Sequence, residues 1–518
     1  MDRSSRNLPE QWDVIVVGGA LAGGATAMEL LKQNPELSVL IVESSEQHGR
    51  RVGESTVEVS SYFLARVLGL SGELNRNHIS KQGLRLWFAN DETEDLADCS
   101  ELGPKFNVLF PGYQIDRARL DEVVLDKAVS RGAVLKRPAK VVECELIAGG
   151  LQRVTVVSDE GRQDLQARWV VDASGVRALL GRKNGWISTN EEHPIATAWS
   201  RWRGVLDWDD EGLADELPAW SKRVFGVRNN ATNHLVGRGW WAWWIPLQDG
   251  DVSIGVVYDQ RIVELPSGER LGERLKAMLK EHPAGERLMR ESEFVQGDVS
   301  FRRNISYASD RVAGDGFVLV GDAAGFLDPF YSPGLDWLCY TVMAGSTLIV
   351  DSLKQGETCP KKLGTHNSQF RDSYDRWFRS IYKDKYFYMG DHELMSLAFR
   401  LDLGFYYLAV VTRPYLLGAE SLRTPSFGQK EAKWPAIFLS FYNRRLAAIG
   451  RKRMRSGRFG RRNSGHFESF FSYRLNWMLP LRIAWALARY GWLELRELFS
   501  TGGTGGDDNL KPQEGRLF

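Results

Sequence analysis

The stretch Asp13-Val14-Ile15-Val16-Val17-Gly18-Gly19-Ala20-Leu21-Ala22-Gly23-Gly24 decides the fold of this chain. It opens on a short β-branched run, which is typical of a strand buried on both faces of a parallel sheet. A glycine-rich turn and a helix with apolar periodicity follow, and a second such run at 39–42 ends on Glu43. This order predicts a βαβ unit that binds a dinucleotide, because it has a strand, a glycine-rich turn, a helix, a second strand and an acid in sequence.

Individual positions of this unit have predicted contacts with the dinucleotide. The turn from Gly18 to Gly23 is expected to bring the pyrophosphate to the helix N-terminus, where free N–H groups and the helix dipole favour an anion. Glu43 is placed to accept a hydrogen bond from a ribose hydroxyl. The sequence departs from the usual glycine pattern at Ala20, which stands where the second glycine is expected. A Rossmann-like packing turn without a phosphate is the alternative interpretation.

Composition excludes several classes of protein. The 67 Lys and Arg residues nearly balance the 66 Asp and Glu residues, which gives no reason to expect a nucleic-acid partner. The cysteines and histidines show no metal-ligand spacing, and the absence of paired cysteines is typical of a reducing compartment. The N-terminus lacks the apolar run of a signal peptide, and no stretch of about 18 apolar residues occurs. We therefore expect a cytoplasmic protein with no metal, no nucleic-acid partner and no transmembrane segment.

Three later segments indicate which dinucleotide is bound. Residues 113–121 open a predicted helix with Arg117 facing the cofactor, and 169–175 form a strand that ends in a tight turn. Residues 317–325 form a buried strand that runs into a small-residue helix start and carries Asp322. Together these segments resemble the flavoprotein monooxygenase and halogenase superfamily, which implies FAD and places Asp322 against its ribityl chain and phosphates. No second glycine-rich βαβ unit occurs, so reduced FAD is expected from a separate reductase.

A tryptophan-rich strand is predicted at 240–246, where the sequence reads Trp-Trp-Ala-Trp-Trp-Ile-Pro. Successive side chains of a strand point to opposite faces, so Trp241 and Trp243 share one face, and Trp240 and Trp244 share the other. A strand with large rings on both faces is expected to separate two compartments. A tightly packed hairpin core is the alternative.

Three motifs resemble those of the flavin-dependent halogenases, over about residues 10–345. Residues 241–246 fit the pattern W-x-W-x-I-P, and 326–334 fit most of F-x-x-P-x-x-S-x-G. Residues 80–88 resemble the strand that carries the family's lysine, which places that lysine at Lys81. The resemblance implies that a flavin hydroperoxide oxidises chloride or bromide to hypohalous acid. Lys81 then holds the oxidant or forms a haloamine, while the tryptophans keep the organic substrate from the flavin; a solvated surface lysine is the alternative.

The resemblance implies a set of site residues. The catalytic positions are Lys81, Trp241, Trp243 and Ser332; the FAD-binding positions are Gly18, Ala20, Gly23, Glu43, Arg51, Glu54, Ser55, Arg117, Asp322 and Gly325; and the halide-binding positions are Gly334 and Leu335.

Two departures from the family pattern affect the expected chemistry. Pro333 has no N–H to donate to a halide, and a lost hydrogen bond to a charged group costs about 1.5–3 kcal/mol, enough to weaken binding about tenfold or more. Tyr331 stands where tryptophan-specific members carry a glutamate, so a phenolic or pyrrole-type ring, free or on a carrier protein, is the expected substrate. A halogenase of secondary metabolism is thus predicted. The alternatives are an aromatic hydroxylase that does not use halide and a flavin-bound accessory or carrier-docking protein without turnover.

The predicted architecture is an α/β fold with a doubly wound, Rossmann-like FAD-binding domain at 10–182 and 301–350. Residues 183–300 are expected to form a β-sheet substrate region with the tryptophan hairpin, 351–500 a helical C-terminal lobe, and 501–518 a disordered tail. Seven cations at 451–462 indicate a solvated loop or a docking site for an acidic carrier protein or anionic lipid, with Arg453 among its residues.

Overall fold

The computed structural model describes residues 10–470 and 477–499. The strands of this part of the chain are β1 (Gln11–Val17), β2 (Val39–Val42), β3 (Ile79–Ser80), β4 (Leu84–Phe88), β5 (Ser100–Pro104), β6 (Tyr113–Gln114), β7 (Val134–Lys136), β8 (Ala139–Glu145), β9 (Gln152–Ser158), β10 (Gly161–Asp172), β11 (Ile187–Thr189), β12 (Ile195–Arg203), β13 (Thr232–Gly237), β14 (Trp240–Pro246), β15 (Val252–Asp259), β16 (Glu293–Phe294), β17 (Ser300–Arg303), β18 (Tyr307–Ser309), β19 (Ala313–Gly314), β20 (Phe317–Leu319), β21 (Gly325–Phe326) and β22 (Phe467–Phe470).

The α-helices of the same residues are α1 (Leu21–Gln33), α2 (Glu58–Tyr62), α3 (Ser71–Asn77), α4 (Arg117–Ser130), α5 (Leu179–Lys183), α6 (Glu211–Glu216), α7 (Pro218–Ser221), α8 (Leu271–Glu281), α9 (Pro283–Leu288), α10 (Pro333–Gln355), α11 (Pro360–Trp377), α12 (His392–Tyr406), α13 (Thr412–Leu417), α14 (Lys433–Arg455) and α15 (Met478–Phe499).

The first sheet carries the predicted nucleotide unit. Its parallel core runs β20-β10-β1-β2-β7, and β19 and the β8–β9 hairpin complete it with antiparallel pairs. Strands β1 and β2 are almost fully buried, as β-branched runs in a parallel sheet require. Helices α1, α4 and α10 pack beside each other on this sheet. The predicted β1-α1-β2 unit and the α/β fold class are thus confirmed.

The prediction that a helix starts within 317–325 is wrong. Strand β20 ends at Leu319, a single 3-10 turn covers Gly321–Ala323, and the short strand β21 follows. Gly321 has φ of +57°, a left-handed conformation that cannot begin a right-handed helix. The next helix, α10, starts only at Pro333, and its third turn lies beside Gly321, whose N–H donates to the Thr341 hydroxyl at 2.9 Å.

The second sheet contains the tryptophan strand at its centre. Its order is β16-β12-β15-β14-β13-β4-β5-β22, with β17 paired to β12. Every residue of β14 is buried, because the sheet is covered on both faces. This sheet takes β4 and β5 from before residue 183, β17 from after residue 300 and β22 from after residue 350, so the predicted boundaries 183–300 are too narrow for it. Long-range strand pairing of this kind leaves no local signal in the sequence.

The C-terminal part is mostly helical, as predicted, but β22 is an exception because it pairs in parallel with β5. Residues His392–Leu417 form one helix long and apolar enough, by length and composition, to cross a membrane. The stretch includes the charged residues Arg400 and Asp402, and one helix of this kind is weak evidence for a membrane span. Sixty-seven per cent of its most apolar window is buried inside the protein, and a core helix passes the same test. The predicted tail at 501–518 lies outside the described residues.

The first part of the basic stretch is not a solvated loop. Residues 451–455 end helix α14, and Arg453 is buried against three carboxylates. Its guanidinium donates to Asp391 at 3.0 Å, to Glu393 at 2.7 Å and to Glu497 at 2.7 Å. Arg453 therefore ties three helices together, and it is not available to a docking partner as the sequence suggested.

Candidate active site

The glycine-rich turn has the tight geometry that a dinucleotide requires. Gly18 has φ of +101°, and a Cβ there would lie 2.6 Å from the carbonyl oxygen of Ala173. A Cβ at Gly23 would strike the carbonyl oxygen of Gly18, so helix α1 approaches the turn too closely for any side chain at that position. Ala20 is the N-cap of α1, with φ of −68°, a value that alanine adopts without strain. No side chain caps α1, which leaves its first N–H groups without intrahelical partners.

Glu43 lies at the end of β2 and faces the turn. Its carboxylate accepts the Gly19 N–H at 2.7 Å, and Ser45 donates to it through both its backbone N–H and its hydroxyl. Burial favours the neutral form, but the hydrogen bonds from Ser45 and Gly19 outweigh it and hold the pKa of Glu43 below its ordinary value. The residue is thus an ionised acceptor beside the turn.

Arg117 and Asp322 are brought together from distant parts of the chain. Arg117, at the start of α4, donates to Asp121 at 2.9 Å and to the carbonyl of Val52 at 3.1 Å. Asp322 lies in the turn after β20, where burial raises the pKa of its carboxyl and the nearby charge of Arg117 opposes that rise. Gly325 follows in β21, where a Cβ would lie 3.1 Å from a backbone carbonyl oxygen.

The segment between β2 and α2 divides into two environments. Arg51 is exposed, whereas Glu54 is buried and accepts from Arg201 at 2.7 Å. Burial raises the pKa of Glu54 to about 7, against the attraction of Arg201. Ser55 is also buried, and its hydroxyl contacts Lys81 and Thr232. Sequence reasoning missed Arg201, because its partners come from three other segments.

The geometry of the glycine-rich turn and of the residues around it is compatible with FAD. The uncapped N-terminus of α1 offers N–H groups to a pyrophosphate, and the Glu43 carboxylate lies at the ribose position of a βαβ unit. Within residues 10–470 and 477–499, no group of three His, Cys, Asp or Glu side chains could hold a metal ion.

Lys81 is a buried lysine, so the alternative of a solvated surface residue is wrong. It follows β3 and is 4% exposed. Its ammonium donates to the Ser55 hydroxyl at 2.8 Å and to the carbonyl of Thr56 at 2.9 Å. Burial lowers the pKa of Lys81 to about 8, and the negative charges of Glu58 and Asp336 oppose this effect. Lys81 is thus held in a fixed position and can exist in both protonation states near neutral pH.

Lys81 lines a cavity that opens to solvent. Most of its wall is apolar or aromatic, which suits an aromatic ring. Rings and aliphatic side chains of the wall include Leu84, Val108, Phe110, Tyr331, Trp377, Ile381, Phe399, Leu403, Tyr406, Tyr407 and Phe470. Pro333, the first residue of α10, also lines it, so the halide motif and the lysine share one cavity.

Three carboxyl groups in the wall of this cavity were not found from the sequence. Asp402 accepts from Lys385 at 2.8 Å and from the Tyr331 hydroxyl at 3.2 Å. Glu58 accepts from a tyrosine hydroxyl at 2.6 Å. Asp336 lies in the first turn of α10, and burial raises the pKa of its carboxyl to about 8. A lone aspartate in the otherwise apolar start of α10 was a signal available in the sequence.

The four tryptophans of β14 divide between two cores, as the alternation predicts. Trp241 and Trp243 pack in one apolar cluster, and Trp240 and Trp244 pack in another. Trp243 lies opposite Gly255 of β15, where a Cβ would strike the indole ring. The hairpin therefore needs glycine at that position for the large ring to fit.

Trp241 is fixed by a buried hydrogen-bond chain that the sequence did not predict. Its indole N–H donates to the Tyr386 hydroxyl at 2.9 Å, and that hydroxyl donates to Asp328 at 3.0 Å. The Trp241 ring packs on Phe330 with centroids 5.0 Å apart, and Phe330 packs on Tyr331 at 4.2 Å. Trp241 therefore stands behind Phe330 and Tyr331 with respect to the lysine cavity.

The predicted halide motif forms the entry to α10. Tyr331 and Ser332 have φ of +70° and +56°, left-handed values that cost non-glycine residues about 1–3 kcal/mol each and that occur mainly at functional sites. Pro333 is the first helical residue, where the missing N–H costs no intrahelical hydrogen bond. The N–H groups of Gly334 and Leu335 lie in the first helical turn, and no side chain caps it. A Cβ at Gly334 would meet only the Phe326 ring, at 3.9 Å, so space remains there.

Comparisons with known proteins agree with this geometry. The tryptophan halogenase family model matches residues 78–388. The 1H-pyrrole-2-carbonyl peptidyl-carrier protein chlorinase of Pseudomonas fluorescens is 26% identical over 390 residues, which are 71% of this chain and 82% of the relative. The flavin-dependent halogenase armH5 of Armillaria mellea is 27% identical over 68% of this chain and 66% of the relative. The chain thus spans slightly less than two thirds of armH5.

Solved structures share the fold. The halogenase PltM superposes with a TM-score of 0.73 at 17% identity, covering 93% of this chain and 96% of that one. The myxobacterial chondrochloren halogenase CndH gives a TM-score of 0.61 at 20% identity, covering 83% of this chain and 98% of that one. Since the family model covers more than half of the sequence, the chain belongs to the tryptophan halogenase family and is an FAD-dependent enzyme of the flavin-dependent halogenase type.

Proposed function

We propose that this chain transfers a halogen to an electron-rich aromatic ring, using reduced FAD, dioxygen and a halide. The observation that carries the proposal is the buried ammonium of Lys81, fixed by Ser55 and Thr56 in the wall of an aromatic cavity. A relative is named for the chlorination of a pyrrole on a carrier protein, and a solved relative holds phloroglucinol and FAD. The substrate is therefore a phenolic or pyrrole-type ring, free or attached to a carrier protein.

Lys81 positions the oxidant. Bound reduced FAD with dioxygen supplies the oxidation of halide to hypohalous acid. The Lys81 ammonium donates a hydrogen bond to this small acid and holds it at the cavity wall, or the neutral amine takes the halogen as a haloamine. Trp241 and Trp243, with Phe330 in front of Trp241, keep the organic ring away from the flavin.

The halide binds at the entry to α10. Gly334 and Leu335 supply N–H groups, Ser332 sets the chain direction, and the helix dipole favours the anion. We expect Gly334→Ala to raise the KM for bromide at unchanged KM for the aromatic substrate, because the added Cβ fills the space beside Phe326. Equal bromide KM values would place the halide elsewhere.

The remaining assignments follow the same reasoning. A separate reductase supplies reduced FAD, and the enzyme acts in the cytoplasm, in secondary metabolism. The FAD contacts are assigned to Gly18, Ala20, Gly23, Glu43, Arg51, Arg117, Asp322 and Gly325, and Glu54 and Ser55 are assigned to the same site as indirect members. Glu54 and Ser55 act through Arg201 and Lys81, since their side chains contact those residues.

Hydroxylation is the second candidate function, and Pro333 favours it by removing one halide donor. Incubation with a flavin reductase, NADH, bromide and a panel of phenols separates the two functions by mass spectrometry. A bromine isotope doublet in the product supports halogenation, and a gain of one oxygen supports hydroxylation. If the FAD-loaded protein forms neither product, the result supports a flavin-bound accessory protein.

A further inference from the structure

We propose that the Asp336 carboxylate receives the hydroxyl hydrogen of a phenolic substrate and so turns an electron-rich ring carbon toward Lys81. This inference rests on the proposed halogenation and names its substrate class. Asp336 and Lys81 line the same cavity but come from α10 and from the segment after β3. A hydrogen-bond acceptor and the group that holds the oxidant thus face one ring-sized space.

The Asp336 carboxylate is fixed but not saturated. The N–H of Ser60 donates to one oxygen at 3.2 Å, and the Tyr406 hydroxyl donates to the other at 3.1 Å. A carboxylate accepts about four hydrogen bonds, so each oxygen keeps capacity for a further donor. Since Asp336 is 4% exposed and part of the cavity wall, the donor that completes its set must come from the cavity's occupant or solvent.

The three carboxyl groups in the cavity wall have different partners. Asp402 is bound by the Lys385 ammonium at 2.8 Å, which neutralises it and occupies the oxygen that also accepts from Tyr331. Glu58 accepts from the Tyr407 hydroxyl and adds negative charge near Asp336. Burial, with the charge of Glu58, brings the carboxyl pKa of Asp336 to about 8, within about two units of the value of about 10 for a phenol, and the carboxylate that the step uses is the main form above about pH 8. A base and an acid whose pKa values are this close exchange a proton readily.

The step balances with hypohalous acid as the oxidant. The phenol proton passes to the Asp336 carboxylate as a ring carbon attacks the halogen; the carbon–halogen bond forms and the halogen–oxygen bond breaks. The electron pair of the broken bond stays on oxygen, which takes a proton from the Lys81 ammonium and leaves as water. The ring proton then returns the Lys81 amine to ammonium, and Asp336 gives its proton back to the phenol oxygen.

The test compares a phenol with its methyl ether on FAD-loaded enzyme supplied with bromide. We expect wild-type kcat/KM to favour the phenol by about 10²-fold, because the ether has no hydrogen to donate. Asp336→Asn keeps the shape of the side chain and should remove about 10²-fold of phenol bromination while leaving ether bromination unchanged. Asp336→Glu, which restores a carboxylate, should recover part of the preference.

Several outcomes decide the matter. Equal rates on phenol and ether in the wild-type enzyme would overturn the inference without any variant, so a folding defect of Asp336→Asn leaves it testable. An equal loss on both substrates in Asp336→Asn would also overturn it, since that is the effect of a structural role. Bromination of neither substrate by the wild-type enzyme would instead contradict the proposed function.

Discussion

Replacing Lys81 by methionine tests whether the ammonium is buried as the structure places it. The perturbation removes the charge and leaves an unbranched side chain that is one atom shorter. Burial lowers the pKa of Lys81 from 10.5 to about 8, so the unfolded chain binds more protons than the folded protein between these values. Stability therefore rises with pH in this window, because deprotonation removes the cost of the buried charge.

The magnitude follows from the two pKa values. With one pKa unit equal to about 1.36 kcal/mol, linkage gives a stability gain of about 2.5 kcal/mol between pH 7 and pH 10 from this one group. Lys81→Met lacks the gain, whereas the contribution of Glu54, whose raised pKa lowers stability as pH rises toward 7, is shared by both proteins. Because the charge of Asp336 acts on Lys81, subtracting the two pH profiles reports the titration of Lys81 together with its interaction with Asp336.

The assay is urea unfolding followed by tryptophan fluorescence, with saturating FAD, at intervals from pH 7 to pH 10. At pH 7 the variant should be about as stable as wild type. The lost hydrogen bond to the Thr56 carbonyl, worth about 1–3 kcal/mol, offsets the relief of the buried charge. Parallel pH profiles for the two proteins would refute the burial of an ionised Lys81.

Two further predictions concern packing and the basic stretch. Gly255→Ala should destabilise the protein by about 1–3 kcal/mol in urea unfolding, because the new Cβ strikes the Trp243 indole. The control Gly364→Ala, whose Cβ meets nothing within 4 Å, should be neutral or stabilising. Equal effects of the two substitutions would count against the hairpin packing. Arg453→Ala should lower the free energy of unfolding by about 3–5 kcal/mol, because it leaves buried carboxylates without their partner. Replacing the exposed Arg461 by alanine should change it by no more than about 0.5 kcal/mol. Similar stabilities of the two variants would show that Arg453 is solvated.

Local patterns were enough to predict the nucleotide unit and the tryptophan strand. The β-branched runs at 14–17 and 39–42 and the glycines between them specify strand, turn and helix within about thirty residues, as such units require. The alternation of rings in 240–244 fixes which tryptophans share a face, whatever the sheet order is. Lys81 was found only because its flanking residues resemble a family motif.

Long-range packing could not be predicted. Asp336 and Glu58 face the lysine because α10 packs on α2, a contact between residues far apart in sequence. Arg453 belongs to a run of cations that is typical of a solvated surface, yet carboxylates from 391–393 and 497 bury it. The helix expected near Gly321 is absent because that glycine takes a left-handed conformation, which its type permits but does not require.

The central claim is that Lys81 delivers the halogen to a ring in the cavity. The most direct measurement is the amount of brominated phenol formed per reduced FAD consumed, in wild type and in Lys81→Met, each shown to hold FAD. We expect the variant to form at least about 10²-fold less brominated product while it still consumes reduced flavin and dioxygen. Equal bromination by the two proteins would contradict the role of Lys81.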